Sequence, residues 1–350
     1  MVFLMPSVLL ILGLSLFPLL ASLYMSLSRF RLAAGGFSIE FTGLSNYRKL
    51  LFGSEAPHLL GSPAPLSAWE WAALVALTAL LVLAFWRYVR SGATIGGAIG
   101  RVAASAIVLA ALYLMLGVFW GGSSGTLPTT MLYVFVGVAV QYLIGLGLAL
   151  LCMQNLPGRR LFRALFFLPL MITPVGIAYV TRMLADTQIG PLAPIWMAVG
   201  LAETAWSVDP AAARFVVMLG DAWQWIPFIF IVLSAALESQ DKDIEEAARI
   251  DGASAWQIFR YVTLPAILPV SITIVVIRII EAFKIIDLPN VLTNGGPGYA
   301  TESLALHAYI AWRTLDLGGS AAVSYITLAA VMVSCLLLLL MTSSFRGTGK

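Results

Sequence analysis

Charged residues, cysteine and histidine are all scarce in this sequence. Asp, Glu, Lys and Arg together make up only 11% of its 350 residues, whereas about 25% is usual in a soluble protein. Apolar residues make up 60%, and the mean hydropathy is +0.94. Because so few charges cannot cover a surface that faces water, the composition predicts a protein embedded in lipid. The small net charge of +3 is scattered, which excludes a basic tract of the kind that binds nucleic acid.

The sequence patterns of most enzymes and metal proteins are also missing. Cys152 and Cys335 both fall in apolar runs, where neither a disulfide nor a metal site is expected. His58 and His307 are isolated in the sequence and fall in segments expected outside the membrane, so we expect no metal site. No phosphate-binding loop and no H-E-x-x-H helix is present. We therefore expect no catalytic residues, no ATPase site and no cofactor bound by this chain.

Eight apolar stretches are long enough to cross a bilayer, which takes about 20 helical residues. The first stretch lacks the basic start and the cleavage site of a signal peptide, and we expect it to remain as a membrane helix. The sequence thus predicts an all-α integral membrane protein, a polytopic bundle of about eight transmembrane helices. The predicted spans are about 3–26, 69–89, 99–119, 130–152, 161–184, 213–237, 266–288 and 321–342.

The distribution of Lys and Arg predicts that both termini are cytoplasmic, because positive residues collect in cytoplasmic loops. The loops 120–129 and 290–311, expected outside, contain neither residue. One segment disagrees, since Arg29, Arg31, Arg48 and Lys49 would lie outside. Residues 186–212 are rich in Pro and Trp and suit a short helix at the outer interface. The expected cytoplasmic residues are Arg87, Arg90, Arg101, Arg159, Arg160, Arg163, Lys242, Arg249, Arg260, Arg346 and Lys350.

The predicted cytoplasmic loop 238–265 is the most informative segment. Acidic residues crowd the start of its first helix, where carboxylates are stabilised. Gly252 permits the positive φ angle that ends a helix, and Pro265 marks the start of the next span. Such a helix–break–helix element is too short to be a domain, and it predicts a rigid knob that docks in a groove of a partner. The apolar residues expected on its outer face are Trp256, Phe259 and Val262.

The spacing from Glu246 to Pro265 resembles the EAA loop of ABC importer permeases. That loop reads E-A-A, three residues, G, nine residues, an aliphatic residue, one residue and then L-P, and this sequence fills every place. The resemblance implies that the loop inserts into a cleft of a separate ATPase and transmits its closure to the membrane helices. ATP and Mg would then be used by that partner. The residues implied in ATPase coupling are Glu246, Ala247, Ala248, Asp251, Gly252 and Ala253.

Other segments are similar to the MalF-like, carbohydrate-uptake branch of these permeases. They are Gly43-Leu44-Ser45-Asn46-Tyr47, the basic turn from Pro157 to Arg163, and the external loop from Asp287 to Glu302. The resemblance implies half of a translocation path for a sugar or related polar solute, although lipid-precursor and polyol importers share these patterns. It further implies a second homologous permease, two copies of an ABC ATPase, an external solute-binding protein, and a bacterial or archaeal inner membrane.

The resemblance covers residues 1–52 and 129–345 and predicts three segments. Residues 1–52 would form the first transmembrane helix with an external segment. Residues 53–128 would be an insertion with two extra transmembrane helices, which preserves the orientation of everything after it. Residues 129–345 would form the permease core domain, which contains the other five of the six core helices and the coupling loop at 238–265.

Polar residues inside the predicted spans are candidates for the solute path. Arg278, Glu281, Lys284 and Asp287 recur every three residues, and we expect Arg278 and Glu281 near mid-span, facing the bundle interior. Two interpretations stay open: a hydrophilic path that holds a polar solute, and ion pairs that lock helices together. The same choice applies to Asp221, Trp223, Gln224 and Trp225, of which the tryptophans also suit interfacial anchors. Gln141, Tyr179 and Arg182 are weaker candidates.

Two other classes of protein would also explain a polytopic chain with buried charges. A secondary active transporter driven by an ion gradient would have no use for the long docking loop. A membrane-embedded enzyme would need a reactive constellation, and the sequence shows none. The loop therefore favours the ATP-driven permease.

Overall fold

A computed structural model describes residues 5–33, 36–62, 67–90, 124–153, 158–200 and 205–346, together with isolated residues between 97 and 113. The described chain is predominantly helical, as predicted, and π turns interrupt three of its helices, at Leu12–Leu16, Leu132–Gly137 and Phe259–Thr263. The elements are α1 (Met5–Ile11), α2 (Phe17–Ser26), β1 (Ser28–Ala33), β2 (Gly36–Phe41), α3 (Ser45–Phe52), α4 (Ala56–Leu60), α5 (Ala68–Arg90), α6 (Thr126–Met153), α7 (Arg159–Phe166), α8 (Leu168–Met171), α9 (Pro174–Ala185), α10 (Ala193–Ala198), α11 (Pro210–Glu238), α12 (Lys242–Ile250), α13 (Ala255–Phe283), α14 (Asp287–Thr293), α15 (Leu304–Arg313) and α16 (Leu317–Arg346).

Five helices of the described chain, α5, α6, α11, α13 and α16, are long and apolar enough to cross a membrane. The bent pair of α7–α8 with α9 makes a sixth if it is counted as one span, and α2 with the preceding π turn is a shorter apolar helix. The prediction of a multi-pass helical membrane protein is confirmed. The second span of the predicted insertion, about 99–119, lies largely outside the described residues.

The first of two compact units comprises residues 1–130 and 298–330. Its core is a small apolar cluster that joins α3 and α4 to α15 and the start of α16. The strands β1 and β2 form an antiparallel hairpin, with Ser28 opposite Phe41 and Ala33 opposite Gly36; the sequence analysis did not predict this hairpin. The cluster is Leu50, Leu59, Leu304, Ala322 and Val323.

The segment that reads G-L-S-N-Y has a structural role in this unit. The Asn46 side chain donates hydrogen bonds to the backbone oxygens of Ser26 at 2.8 Å and Ser28 at 3.0 Å. The Tyr47 hydroxyl donates to Ser26 Oγ at 2.9 Å. These contacts satisfy carbonyls at the end of α2, which the helix itself leaves unpaired. Gly318 lies against the same turn, because a Cβ there would stand 2.3 Å from the Ser28 oxygen.

The positive residues that disagree with the predicted orientation are partly neutralised in this unit. Arg31 lies 4.0 Å from Glu40 across the hairpin, and Lys49 Nζ lies 2.5 Å from Glu55. The positive-inside pattern counts Lys and Arg and not net charge, so the segment remains an exception to it.

The second unit comprises residues 131–297 and 331–350. Its larger core packs α6 against α11 and α13, and a second cluster packs α9 and α14 against α11. Close approach of α6 and α11 depends on Gly145, because a Cβ there would stand 2.7 Å from Ile229 Cγ2. Small residues have this role at many helix contacts in membranes, since they let two backbones approach.

The predicted span 161–184 is not a straight helix. Helices α7 and α8 meet α9 at a bend of 104°. Thr173 at the break is extended, with φ −63° and ψ 147°, and its side chain accepts a hydrogen bond from the Gly176 N–H at 3.3 Å. A residue before proline disfavours the helical conformation, and Pro174 itself suits the first turn of a helix. The bend therefore follows from the Thr-Pro sequence.

The predicted span 266–288 has the wrong limits at both ends. Helix α13 runs from Ala255 to Phe283 over 29 residues, and α14 starts afresh at Asp287. A proline follows at position 289. In α14 it occupies the first turn, where no backbone N–H partner is needed.

Candidate functional site

Helix α12 carries the E-A-A triplet and is stabilised by its own caps and charges. Asp241 Oδ1 accepts a hydrogen bond from the Asp243 N–H at 3.0 Å at the start of the helix. Arg249 Nη2 lies 2.6 Å from Glu245 Oε1, one turn away. Such pairs stabilise an exposed helix by a few tenths of a kcal/mol each. Glu246 and Ala247 are exposed and free to contact a partner.

Gly252 ends α12 in the left-handed conformation, with φ +81°. Its N–H donates to the Arg249 oxygen at 3.1 Å, and the Ala253 N–H donates to the Ala248 oxygen at 3.0 Å. This pair of bonds is a Schellman motif, in which glycine is favoured because it has no Cβ. A Cβ built on Gly252 would meet nothing within 4 Å. The backbone angle, and not lack of space, therefore requires glycine.

Helix α13 begins inside the loop with a capping box. The Ser254 N–H donates to Gln257 Oε1 at 2.8 Å, and the Gln257 N–H donates to Ser254 Oγ at 3.4 Å. Pro265 does not begin a separate helix, because α13 continues through that residue. The π turn just before Pro265 changes the hydrogen-bond spacing and accommodates the missing N–H. One helix thus joins the loop to the far side of the membrane.

The loop exposes large apolar side chains on the outside of α12 and the first turns of α13. Of the three residues predicted there, only Trp256 is exposed. Phe259 packs against the core of the second unit, and Val262 is half-buried. We call the exposed set the docking surface: Ile244, Ile250, Trp256 and Tyr261, exposed by 57%, 86%, 70% and 75%.

Two depressions flank this loop. The larger one, about 1070 Å³, separates α12 from the ends of α6, α11 and α13, and charged residues that include Glu246 line it. Arg163 and Glu238 also line it and form an ion pair with each other at 2.5 Å. The smaller one, about 370 Å³, opens on the other side of the loop. Four of the six predicted coupling residues line the smaller pocket: Ala248, Asp251, Gly252 and Ala253.

A buried polar centre joins three membrane helices of the second unit. Arg278 on α13 is fully buried, and its Nη2 donates to Asp221 Oδ2 on α11 at 2.9 Å. Gln141 on α6 completes the triangle: its Oε1 accepts from Arg278 Nε at 3.0 Å, and its Nε2 donates to the same Asp221 oxygen at 2.7 Å. The Trp225 ring lies 4.4 Å from the guanidinium carbon. Arg278 Nη1 has no hydrogen-bond partner among the described residues.

The other predicted path residues are separate from this centre, so the expected stripe on one helix is wrong. Glu281 pairs with Lys284 at 2.6 Å, with 33% and 62% of their side chains exposed. Because α13 ends at Phe283, Arg278 and Glu281 lie in its last turns, not near its middle. Asp287 belongs to α14. On α11, Gln224 is buried and Trp223 is 42% exposed. Of the weaker candidates, Arg182 donates to the Val291 oxygen at 2.9 Å.

The expectation that His58 and His307 are isolated is also wrong. Their rings stack in the first unit with centroids 4.1 Å apart, and His58 Nε2 lies 3.0 Å from Glu302 Oε1. Burial and the neighbouring His58 lower the pKa of His307 to about 4, so this ring is neutral near pH 7. No sequence spacing links positions so far apart, and only the folded chain brings them together.

Comparisons with known proteins agree with the helical architecture and the loop. Residues 141–346 match the family described as binding-protein-dependent transport system inner membrane component. The chain is 33% identical over 203 residues to the trehalose/maltose transport system permease protein MalF of Thermococcus litoralis, which covers 58% of this chain and 69% of that protein. It is 29% identical over 225 residues to the lactose transport system permease protein LacF of Rhizobium radiobacter, covering 62% and 73%.

A solved structure shares the fold. The crystal structure of a bacterial alginate ABC transporter, in complex with an alginate pentasaccharide-bound periplasmic protein, matches with a TM-score of 0.53 and 22% identity. The match covers 64% of this chain and 78% of the other. At this identity the likeness shows a common arrangement of helices.

Proposed function

We propose that this chain forms part of the path of a solute across the membrane, because it belongs to the family of binding-protein-dependent transport system inner membrane components. It is a permease subunit of an ATP-driven ABC importer of the MalF-like branch, and its relatives carry sugars. The solute that we propose for this chain is a sugar or a related polar molecule. An ion-gradient transporter is the weaker alternative, since the family and the docking loop both favour ATP.

The loop would couple this subunit to a separate ATPase. The observation that supports this role is an apolar docking surface on a capped, rigid element outside the membrane. Large apolar side chains exposed on a loop are typical of a protein interface. Gly252, Asp251 and the flanking alanines would fit the partner's cleft, and Glu246 and Ala247 would contact it from the exposed face of α12. ATP and Mg would be bound by that ATPase and not by this chain.

Displacement of the loop would reach the solute path along α13. Helix α13 carries Trp256 at one end and Arg278 near the other. We assign Arg278, Asp221 and Gln141 to locking α13 to α11 and α6, since all three are buried and bonded to each other. The half-exposed Glu281, Lys284 and Trp223 are then the better candidates for contact with solute, because they are accessible. Gln224, Trp225 and Asp287 would support the wall of the path.

The rest of the assembly follows from family membership. A second homologous permease would complete the path, two ATPase copies would bind below, and an external solute-binding protein would deliver solute. Both termini would be cytoplasmic in a bacterial or archaeal inner membrane. Residues 1–52 and 129–345 would form the common permease, and residues 53–128 an insertion with two extra helices.

Reconstituted uptake tests the proposal. Proteoliposomes that contain this chain, its partner permease and the ATPase, with the solute-binding protein on the opposite side, should take up sugar when ATP is supplied on the ATPase side. No ion gradient should be needed. Uptake that needs an ion gradient and persists without ATP would overturn the assignment.

The docking surface has its own test. Trp256→Asp should abolish co-purification of the ATPase, because a charge would enter an apolar contact. Trp312→Asp is the matched control, since Trp312 is an exposed tryptophan at 57% on α15, outside the loop. Equal loss of ATPase from both variants would refute a specific role for the loop.

A further inference from the structure

Three potential metal ligands meet in the first unit: His58 on α4, Glu302 just before α15, and His307 on α15. Each offers one ligand atom, and these atoms all lie within 4.8 Å of one another. Glu302 and His307 are buried, with 3% and 5% exposed, whereas 22% of the His58 side chain faces solvent. The cluster is therefore held by the fold and remains open on one side.

The donor set and its spacing suit zinc. Two histidines with one glutamate are a ligand set of known zinc sites, with Zn–N and Zn–O bonds of about 2.0–2.2 Å. Two such ligands on a tetrahedral ion stand about 3.4 Å apart. His58 Nε2 and Glu302 Oε1 are already 3.0 Å apart. The His58 ring would turn out of its stack with His307 on binding, because a metal lies in the plane of each imidazole that binds it. We propose that His58, Glu302 and His307 bind a divalent transition metal, with Zn²⁺ as the best match.

One of the ligands, His307, has an outer hydrogen-bond partner. Thr126 Oγ1 lies 3.2 Å from His307 Nδ1, which leaves Nε2 as the nitrogen available for a metal. An outer partner of this kind fixes the tautomer and the ring orientation of a metal-binding histidine. Tyr299 also stacks on the His58 ring, with the two ring centroids 3.8 Å apart.

The bound ion would join the predicted insertion to the permease core within one unit. His58 and Thr126 belong to residues 53–128, and Glu302 and His307 belong to the common part of the chain. Two short helices, α4 and α15, would then be held by metal bonds in addition to the apolar contact of Leu59 and Leu304. Three protein ligands leave a fourth position for water or another ligand.

Zinc titration of the full chain in lipid nanodiscs tests the site. The purification tag must contain no histidine, so that His58 and His307, the two histidines of the sequence, are the only imidazoles that can bind the ion. After treatment with chelator, Zn²⁺ is titrated against a chromophoric competitor, and the bound ion is examined by X-ray absorption. A single zinc per chain with imidazole scattering is expected. Loss of an outer partner typically weakens metal binding about 10–100-fold, so removal of a ligand in His58→Gln should weaken it by at least about 100-fold.

Matched variants keep the outcome clear. Glu55→Gln removes a nearby carboxylate that pairs with Lys49, and it should bind zinc like the wild type. His58→Gln alters the most accessible ligand, and its folding can be verified by size-exclusion profile; Glu302→Gln provides a second variant. Absence of tight zinc binding in the wild type, or equal binding by His58→Gln and the wild type, overturns the site.

Discussion

Substitution of Gly252 measures how strongly transport depends on the backbone of the loop. An L-residue at φ +81° is strained by about 1–2 kcal/mol. Because a Cβ at this position meets nothing within 4 Å, Gly252→Ala adds no steric clash inside the chain. A cost of about 1–2 kcal/mol lowers the population of the native loop about 5- to 30-fold relative to its alternatives. Gly252→Asn should cost less, since asparagine tolerates this conformation better.

Gly252→Pro should be the most severe change. Proline fixes φ near about −65° and has no N–H, so it excludes the native angle and removes the 3.1 Å bond to the Arg249 oxygen. The helix–break–helix geometry would then be lost, whereas the membrane spans would be unaffected. We therefore expect solute uptake to fall in the order Gly, Asn, Ala, Pro, with none for proline.

The assay is ATP-driven uptake in proteoliposomes of the complete importer, with membrane insertion measured in parallel. Gly158→Ala is the matched control, because Gly158 also has a positive φ of +80° and open space around it, but lies outside the loop. The reasoning would be refuted by normal uptake in Gly252→Pro, or by equal losses in Gly158→Ala and Gly252→Ala.

Three further predictions concern the membrane region. Asp221→Asn leaves Arg278 buried without a counter-charge and should lower the free energy of unfolding by about 3–5 kcal/mol. In detergent melting curves, the double variant with Arg278→Gln should lose less stability than the two single variants added together. Additive losses of stability would argue against the pair. Gly145→Leu should destabilise by overpacking against Ile229, typically by about 1–3 kcal/mol, whereas Gly147→Leu, with open space at that position, should be tolerated in the same melting assay. Lys284→Gln should raise the KM for solute uptake without loss of assembled protein, and an unchanged KM would remove Lys284 from the proposed path.

Properties that depend on short stretches of sequence were predictable. Hydropathy located most of the membrane helices, because a span needs only a continuous apolar run. The end of α12 at Gly252 was predictable for the same local reason, since a positive φ angle is needed within one turn. The limits of α13 were not, because whether Pro265 or Pro289 ends a helix depends on the hydrogen bonds available around it.

Contacts between distant segments could not be predicted from the sequence. Arg278 could pair with Glu281 on its own helix or with Asp221 on another, and only packing of α11 against α13 decides for Asp221. The spacing of His58 and His307 in the sequence could not predict their contact, because α4 and α15 are brought together by the core around Leu59 and Leu304. A lone polar residue in a sequence thus indicates that a partner exists, but not which one.

Because α13 is long, a small tilt about its loop end produces a larger displacement near Arg278. Its 29 residues, at about 1.5 Å each, form a rod of about 43 Å, and Arg278 lies about 35 Å from the end at Ala255. A tilt of about 5° about the loop end would move Arg278 sideways by about 3 Å, from that length. The Arg278–Asp221 contact is itself 2.9 Å long. A tilt of a few degrees about the loop end of α13 would therefore be enough to break the Arg278–Asp221 contact.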